Sequence, residues 1–314
     1  YFEVADKKNQ KFYTKKYGVT HPTKPGLKIP QMFEAAINKE LKGVWIIGED
    51  IVQTDPNSAH VVDAMNSLEL LVVQEIFMSE TAKLATVVLP GTTFLEKDGT
   101  FTNTERRVQR VNRAVPPLPG TKPDGVIVTD MMQKLGFDQP TYDADQVLAE
   151  IADIVPFFKG ITRERLGKMG LQWPVKEDGT DTQILHTEEF KLGRGRLKNF
   201  DWKESTEIET NQKDYPLILT TSRVLQHYNA ATMTRRTSNI NIVDEDVLLV
   251  HPKDAANRDL NTGDIGRLYS GRGEVALKVE VTDKVKEGIV FTTFHFPEHM
   301  VNMVTGHGKD EETM

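Results

Sequence analysis

Between residues 31 and 155, short apolar runs alternate with amphipathic segments, and no other feature limits the folds open to this chain as much. Val44–Ile47 (VWII), Leu70–Val73 (LLVV) and Thr86–Leu89 (TVVL) are apolar along nearly their whole length. A strand covered on both faces reads this way, whereas one with a wet face alternates. Asp55-Pro56 offers an N-cap and a first-turn proline for a helix running through about Ser67. Asp124–Leu135 reads as a second helix ended by Gly136, and a third is predicted after Asp143 through Ile154. Strands alternating with helices predict an α/β domain with a mostly parallel sheet over residues 1–155.

From Tyr215 the pattern becomes mainly β. Leu217–Thr220, Val247–Val250, Ile265–Ser270, Glu274–Val281 and Gly288–Phe294 are rich in β-branched and aromatic residues. Only His251–Arg258 reads as helical there, so residues 214–314 are predicted to form a compact β-barrel domain. Residues 156–213, charged and without a sustained period, read as an irregular connection. Gly193-Arg194-Gly195 and Gly271-Arg272-Gly273 open no helix after a strand, so they read as hairpin turns rather than phosphate loops.

Composition narrows the chemistry. A chain of 314 residues suits about two domains. With no cysteine it can hold no disulfide, no cysteine-ligated cluster and no thiolate ligand, so redox chemistry needs an exogenous cofactor ligated elsewhere. A net charge of −7 argues against a nucleic-acid partner. No apolar run approaches the roughly 20 residues of a membrane span, so no direct membrane insertion is expected. The polar opening after Tyr1 lacks the apolar centre of a signal peptide, and the true N-terminus is expected to lie upstream. His295 and His299 are spaced as a zinc pair, but Pro297 intervenes and no third ligand is evident; no metal site is expected.

Four segments are more specific. They are Gly48–Asp55 (GEDIVQTD), directly after an apolar strand; Glu96–Val108 (EKDGTFTNTERRV); Arg223–Thr234 (RVLQHYNAATMT), at the end of the strand LILTTS; and Phe291–Asn302 (FTTFHFPEHMVN). In this order and at these separations they resemble the C-terminal half of the formate dehydrogenases. Those enzymes belong to the bis-molybdopterin guanine dinucleotide oxidoreductases, the DMSO reductase family. GTFTNTERRVQ and RVLQHYN…TMT carry the resemblance most specifically, and it covers roughly residues 10–305.

The resemblance implies an α/β cofactor domain followed by a double-psi-type barrel. It implies cofactor contacts at Asp50, Thr54, Gln74 and Asp124, then at Arg223, His227, Asn229, Phe294 and Asn302. The residue types suit the ligand. A carboxylate accepts the N–H edge of guanine or a ribose hydroxyl, Arg223 can hold pyrophosphate in a bidentate way, and His227 or Asn229 can meet pterin heteroatoms. Taken singly, Asp124 also reads as a helix N-cap, His227 as a structural histidine and Phe294 as barrel core. Two departures stand out: Gly125 where the family usually has Trp, and the tail GHGKDEETM.

The implied activity is interconversion of formate and carbon dioxide at a molybdenum or tungsten centre. The metal-ligating Cys or selenocysteine, its neighbouring His, a substrate-binding Arg and the cysteines of a 4Fe-4S cluster lie upstream in the family, so no catalytic residue is expected here. The implied partners are the N-terminal remainder of the subunit and iron–sulfur electron-transfer subunits. The implied compartment is cytoplasmic, with periplasmic left open. Two alternatives stay open: a non-catalytic homologue like the large peripheral subunit of complex I, and another molybdenum enzyme such as a nitrate reductase.

Overall fold

The computed structural model describes residues 3, 5–190, 192–199, 201 and 213–306. In chain order the elements are α1 (Lys7–Tyr17), α2 (Ile29–Ile37), β1 (Gly43–Ile47), α3 (Ile51–Thr54), α4 (Ser58–Asn66), β2 (Leu70–Glu75), α5 (Glu80–Lys83) and β3 (Val87–Pro90). Then come β4 (Gly99–Thr102), β5 (Arg107–Val111), α6 (Asp124–Lys134), α7 (Ala144–Ile154), α8 (Arg163–Leu166) and β6 (Leu171–Gln172). The last are β7 (Ile218–Ser222), β8 (Val247–Val250), α9 (Pro252–Ala256), β9 (Ile265–Tyr269), β10 (Glu274–Val281) and β11 (Ile289–Thr293).

Two compact units emerge, and each draws on separate stretches of chain. One comprises residues 1–29 and 89–198, the other residues 30–88 and 199–314. The cut expected from the change in hydrophobic period falls elsewhere, because period reports local structure and not which elements pack together.

In the second unit β1 and β2 run parallel, with Ile47 opposite Gln74, in a sheet of order β1-β2-β3. Leu71, Val73 and Ile46 are buried against Phe33, Ala36, Val61, Ala64 and Met65. Val61, Ala64 and Met65 recur at the three- and four-residue spacing that puts one helical stripe into a core. The helix expected to start at Asp55 does not. Asp55 closes α3 in an extended conformation, and α4 begins after Asn57, whose φ is 58°. A residue preceding proline is pushed out of the helical region, so Asp55 ends α3 and the expected helix begins only at Ser58.

The same unit contains a mixed five-stranded sheet of order β7-β11-β8-β10-β9. β7 pairs parallel with β11, β11 antiparallel with β8, β8 parallel with β10 and β10 antiparallel with β9. Val275, Leu277 and Val279 alternate inward along β10 onto Leu248, Val250 and Val290. The second Gly-Arg-Gly triplet does turn the β9–β10 hairpin, where Ser270 N–H donates to Gly273 O at 2.9 Å.

The first unit holds an antiparallel sheet of order β4-β5-β6. GTFTNTERRVQ is its hairpin: Asn103 Oδ1 accepts the Glu105 and Arg107 amides, and Arg106 turns with φ 66°. The stretch expected to be only an irregular connection carries β6 and α8, and buries Ile161, Leu166 and Val175 against Val108 and Leu148. The first Gly-Arg-Gly triplet sits in a turn with no strand flanking it among the described residues, so it is not a hairpin. Residues 202–212 and the divergent tail from His307 lie outside the described residues.

Candidate functional site

Eight of the nine expected contacts, all except Asp124, fall in the second unit. Because β1 and β2 are parallel, the loops after them leave from one edge, the side of such a sheet where ligands meet backbone N–H groups. Gly48 turns there with φ 67° and donates its N–H to Gln74 O at 2.9 Å. Gln74 itself is buried at the end of β2. Asp50 is also buried, and its carboxylate accepts Thr81 N–H at 2.9 Å, Thr81 Oγ1 at 2.7 Å and Glu80 N–H at 3.3 Å. It thereby ties the loop after β1 to the first turn of α5. Thr54 Oγ1 donates to Asp50 O at 3.0 Å, an i−4 bond within α3. Burial pushes Asp55 above the ordinary carboxylate value; the Thr54 hydroxyl opposes this and the charge of Glu49 adds to it.

The β-rich half reaches this edge through Gln53. Its Nε2 donates to Phe294 O and Ala230 O at 3.2 Å and to His295 O at 3.0 Å, while its buried Oε1 has no hydrogen-bond partner among the described residues. Asn302 Nδ2 donates to Gln53 O at 2.8 Å and Thr54 O at 3.2 Å, satisfying the last carbonyls of α3, and its Oδ1 accepts Thr305 Oγ1. Further along, the Arg236 guanidinium lies 4.1 Å from the ring centroid of Phe77, in the loop after β2. Residues 223–236 are thus laid over the carboxyl edge of β1 and β2.

Within that segment His227 is buried, with Nδ1 3.0 Å from Thr234 Oγ1 and Nε2 2.8 Å from Val243 O. Both ring nitrogens serve the fold. Asn229 adopts φ 48°, and its Oδ1 accepts Arg223 Nε at 2.8 Å. Arg223 sits 5.3 Å from the centroid of Phe294, which packs against the core of the five-stranded sheet. Arg223, Leu225, Tyr228 and Asn229 are all exposed, and Arg223 and Asn229 are joined by their hydrogen bond. Leu225 is 103% exposed and Tyr228 75%, an apolar area with nothing over it among the described residues.

Sequence reasoning missed two residues that hold this segment. His295, fully buried, donates from Nδ1 to Asn229 O and accepts Val224 N–H on Nε2 at 3.1 Å, so it is a neutral structural histidine rather than half of a zinc pair. His299 Nδ1 lies 3.3 Å from Ala276 O, and no metal-binding cluster occurs among the described residues. Asp246, also fully buried, accepts the Thr293 hydroxyl and the His295 and Phe296 amides, the latter two at 3.0 Å. Nothing in the local sequence marks it, because its donors lie 47 to 50 residues away.

His295 makes the unit acid-sensitive. Burial holds its pKa below the ordinary value and His227 and Arg223 add to this, while the bond to Asn229 and the charge of Asp246 oppose it. The unfolded chain takes up the proton near about pH 6.5 and the folded one resists it. This contribution is therefore full above that pH and lost as pH falls below it. The thermal midpoint should drop from pH 7 towards 5, and His295→Gln should flatten that slope; an unchanged slope would sink the assignment.

In the first unit, Asp124 sits in the first turn of α6 and forms an ion pair with Lys97. At the neighbouring Gly125 an added Cβ would meet the Tyr142 ring, which would have to move aside. An open groove of about 580 Å³, lined by Arg110, Asn112, Arg163, Glu164, Gly167 and Lys168, contains none of the expected contacts. No helix among the described residues is long and apolar enough to cross a membrane.

Residues 7–134 match the molybdopterin oxidoreductase family, and residues 217–313 the molydopterin dinucleotide binding domain. The chain is 41% identical over 290 residues to the F420-dependent formate dehydrogenase subunit alpha of Methanocaldococcus jannaschii, covering 91% of this chain and 43% of that protein. It is 37% identical to the F420-dependent formate dehydrogenase 1 subunit alpha of Methanococcus maripaludis, covering 96% and 45%. The chain therefore spans less than half the length of these relatives. The acetylene hydratase of Pelobacter acetylenicus shares the fold, with a TM-score of 0.66 at 19% identity over 95% of this chain and 45% of that one. On both domain matches, in this order, the chain belongs to the molybdopterin oxidoreductase family and is similar to formate dehydrogenase alpha subunits.

Proposed function

We propose that this chain forms part of the binding surface for a molybdopterin guanine dinucleotide in an oxidoreductase that interconverts formate and carbon dioxide. The observation that carries the reading is the exposed segment of residues 223–229, laid over the carboxyl edge of two parallel strands. Its composition fits the group. Arg223 is fixed through Nε and presents its two terminal nitrogens, Asn229 presents its amide, and Leu225 and Tyr228 supply an exposed apolar surface for a heteroaromatic ring. Asp50, Thr54, His227 and Asn302 support the reading as residues that hold the loops, since their polar atoms bond within the chain; Gln74 and Phe294 line the same edge, and Asp124 falls in the other unit.

Bound, the dinucleotide would carry molybdenum or tungsten and supply two-electron chemistry, by which formate yields carbon dioxide, a proton and two electrons. The chain's own residues bind, orient and shield that group; the metal ligand, the substrate-binding groups and a 4Fe-4S cluster belong elsewhere in the protein. We further propose that the five-stranded sheet is the described portion of a double-psi-type barrel, that formate and iron–sulfur subunits are the partners, and that the protein works in the cytoplasm.

A non-catalytic homologue, as in complex I, is favoured by one observation: the polar atoms of His227 and Asn302 have protein partners and need no ligand. Cofactor content decides between the two. In the complete protein, Arg223→Ala is expected to lower pterin and metal content roughly 10-fold or more, the worth of a charge-assisted contact to phosphate, with the melting temperature unchanged. Full occupancy in the variant would remove Arg223 from the cofactor surface, and wild-type protein free of pterin and metal would favour the non-catalytic reading.

A further inference from the structure

We propose that Arg235 and Arg236, which no sequence motif singled out, form a second anion clamp beside Arg223 and hold a phosphate of the dinucleotide; this rests on the functional reading above. Arg235 Nη1 is buried and has no hydrogen-bond acceptor among the described residues. A guanidinium N–H removed from water without an acceptor is costly, and native structures seldom leave one so. Its neighbour Arg236 is held at the carboxyl edge of β2 by the contact with Phe77. Desolvation and the charge of Arg235 both pull the Arg236 pKa down, while Glu75, Asp50 and Glu298 pull it up. Two adjacent cations, one with a dry nitrogen, thus sit where strand ends and loops meet a ligand.

The carboxylates at this edge do not supply the missing acceptor. Asp50 is committed to the Thr81 and Glu80 amides, and Glu75 accepts the Ile76 amide at 2.7 Å. What satisfies a pair of guanidinium groups is an anion with several oxygens in one compact group, which a phosphate offers in bidentate geometry. Arg223 stands on the same segment, 12 residues earlier, and is exposed.

The test is calorimetric titration of the complete protein, purified cofactor-free, with GDP and separately with inorganic phosphate. Arg235→Met is expected to weaken GDP about 10- to 100-fold, and Arg235→Lys to weaken it less, because a point charge is kept and the planar fork lost. Four results would overturn the proposal. Unchanged GDP affinity in Arg235→Met, while Arg223→Ala weakens it, leaves the functional reading standing and removes the clamp. A lowered melting temperature in Arg235→Met with unchanged GDP affinity assigns the missing acceptor to the protein itself. Loss of inorganic phosphate binding alone assigns the site to a free anion. If GDP fails to bind the wild-type protein, the clamp and the functional reading fall together.

Discussion

Replacing Asp246 with Ala is expected to cost about 4 kcal/mol of unfolding free energy, the largest single effect in the chain. The carboxylate is fully buried and receives the Thr293 hydroxyl and the His295 and Phe296 amides. Truncation leaves three buried donors without an acceptor, each costing on the order of 1–3 kcal/mol, and partial access of water reduces the sum. The loss should spread. Asp246 fixes the backbone at His295, and His295 fixes Val224 and Asn229 on the segment that presents Arg223. Asp246→Asn keeps the shape and one acceptor but turns an NH₂ towards a former donor, so about half the loss is expected. Chemical denaturation of the three proteins checks this. A change below about 1 kcal/mol in the Ala variant would mean water replaces the carboxylate.

Gln53 is the second. Its Nε2 serves the carbonyls of Ala230, Phe294 and His295 at once, bringing together residues 177 to 242 positions apart. Gln53→Leu should cost about 2–3 kcal/mol: the three carbonyls lose their shared donor, offset in part by removing an Oε1 that has no partner. Gln53→Glu should be worse at neutral pH, because an anion would face three carbonyl oxygens in a buried site. It should recover on acidification towards the ordinary glutamate value of about 4.3, when the protonated carboxyl can donate again. Thermal melts from pH 4 to 8 separate the two variants. A Glu variant no less stable than Leu at pH 7 would show that the bridge contributes little.

These residues show why the sequence is readable in some places and opaque in others. β1, β2, β8 and β10 were legible because fully apolar runs and strict alternation are written into consecutive residues. α7 was legible because Asp143 caps it locally, accepting the Asp145 and Gln146 amides. The α3–α4 break is hidden because Asp55-Pro56 offers the chemistry of a helix start, although the residue before proline more readily ends one. The pairing of residues 30–88 with 199–314 was invisible, since the bonds of Gln53, Asn302 and Asp246 depend on positions brought together only by folding. At the site the motifs named nine residues, of which eight fall in one unit. They did not separate residues whose polar atoms hold the loops, such as Asp50 and His227, from those that face outward, such as Arg223. The same residue types serve both ends, and only burial tells them apart.

The central claim is that residues 223–236 and the carboxyl edge of β1 and β2 meet a pterin guanine dinucleotide. The most direct measurement is an experimental density map of the complete protein purified with its cofactor. The claim requires a phosphate oxygen or pterin heteroatom within hydrogen-bonding distance, about 3.2 Å or less, of the Arg223 guanidinium. A dinucleotide bound with no atom in reach of residues 223–236, or a fully folded wild-type protein purified without one from cells that make the cofactor, would contradict it.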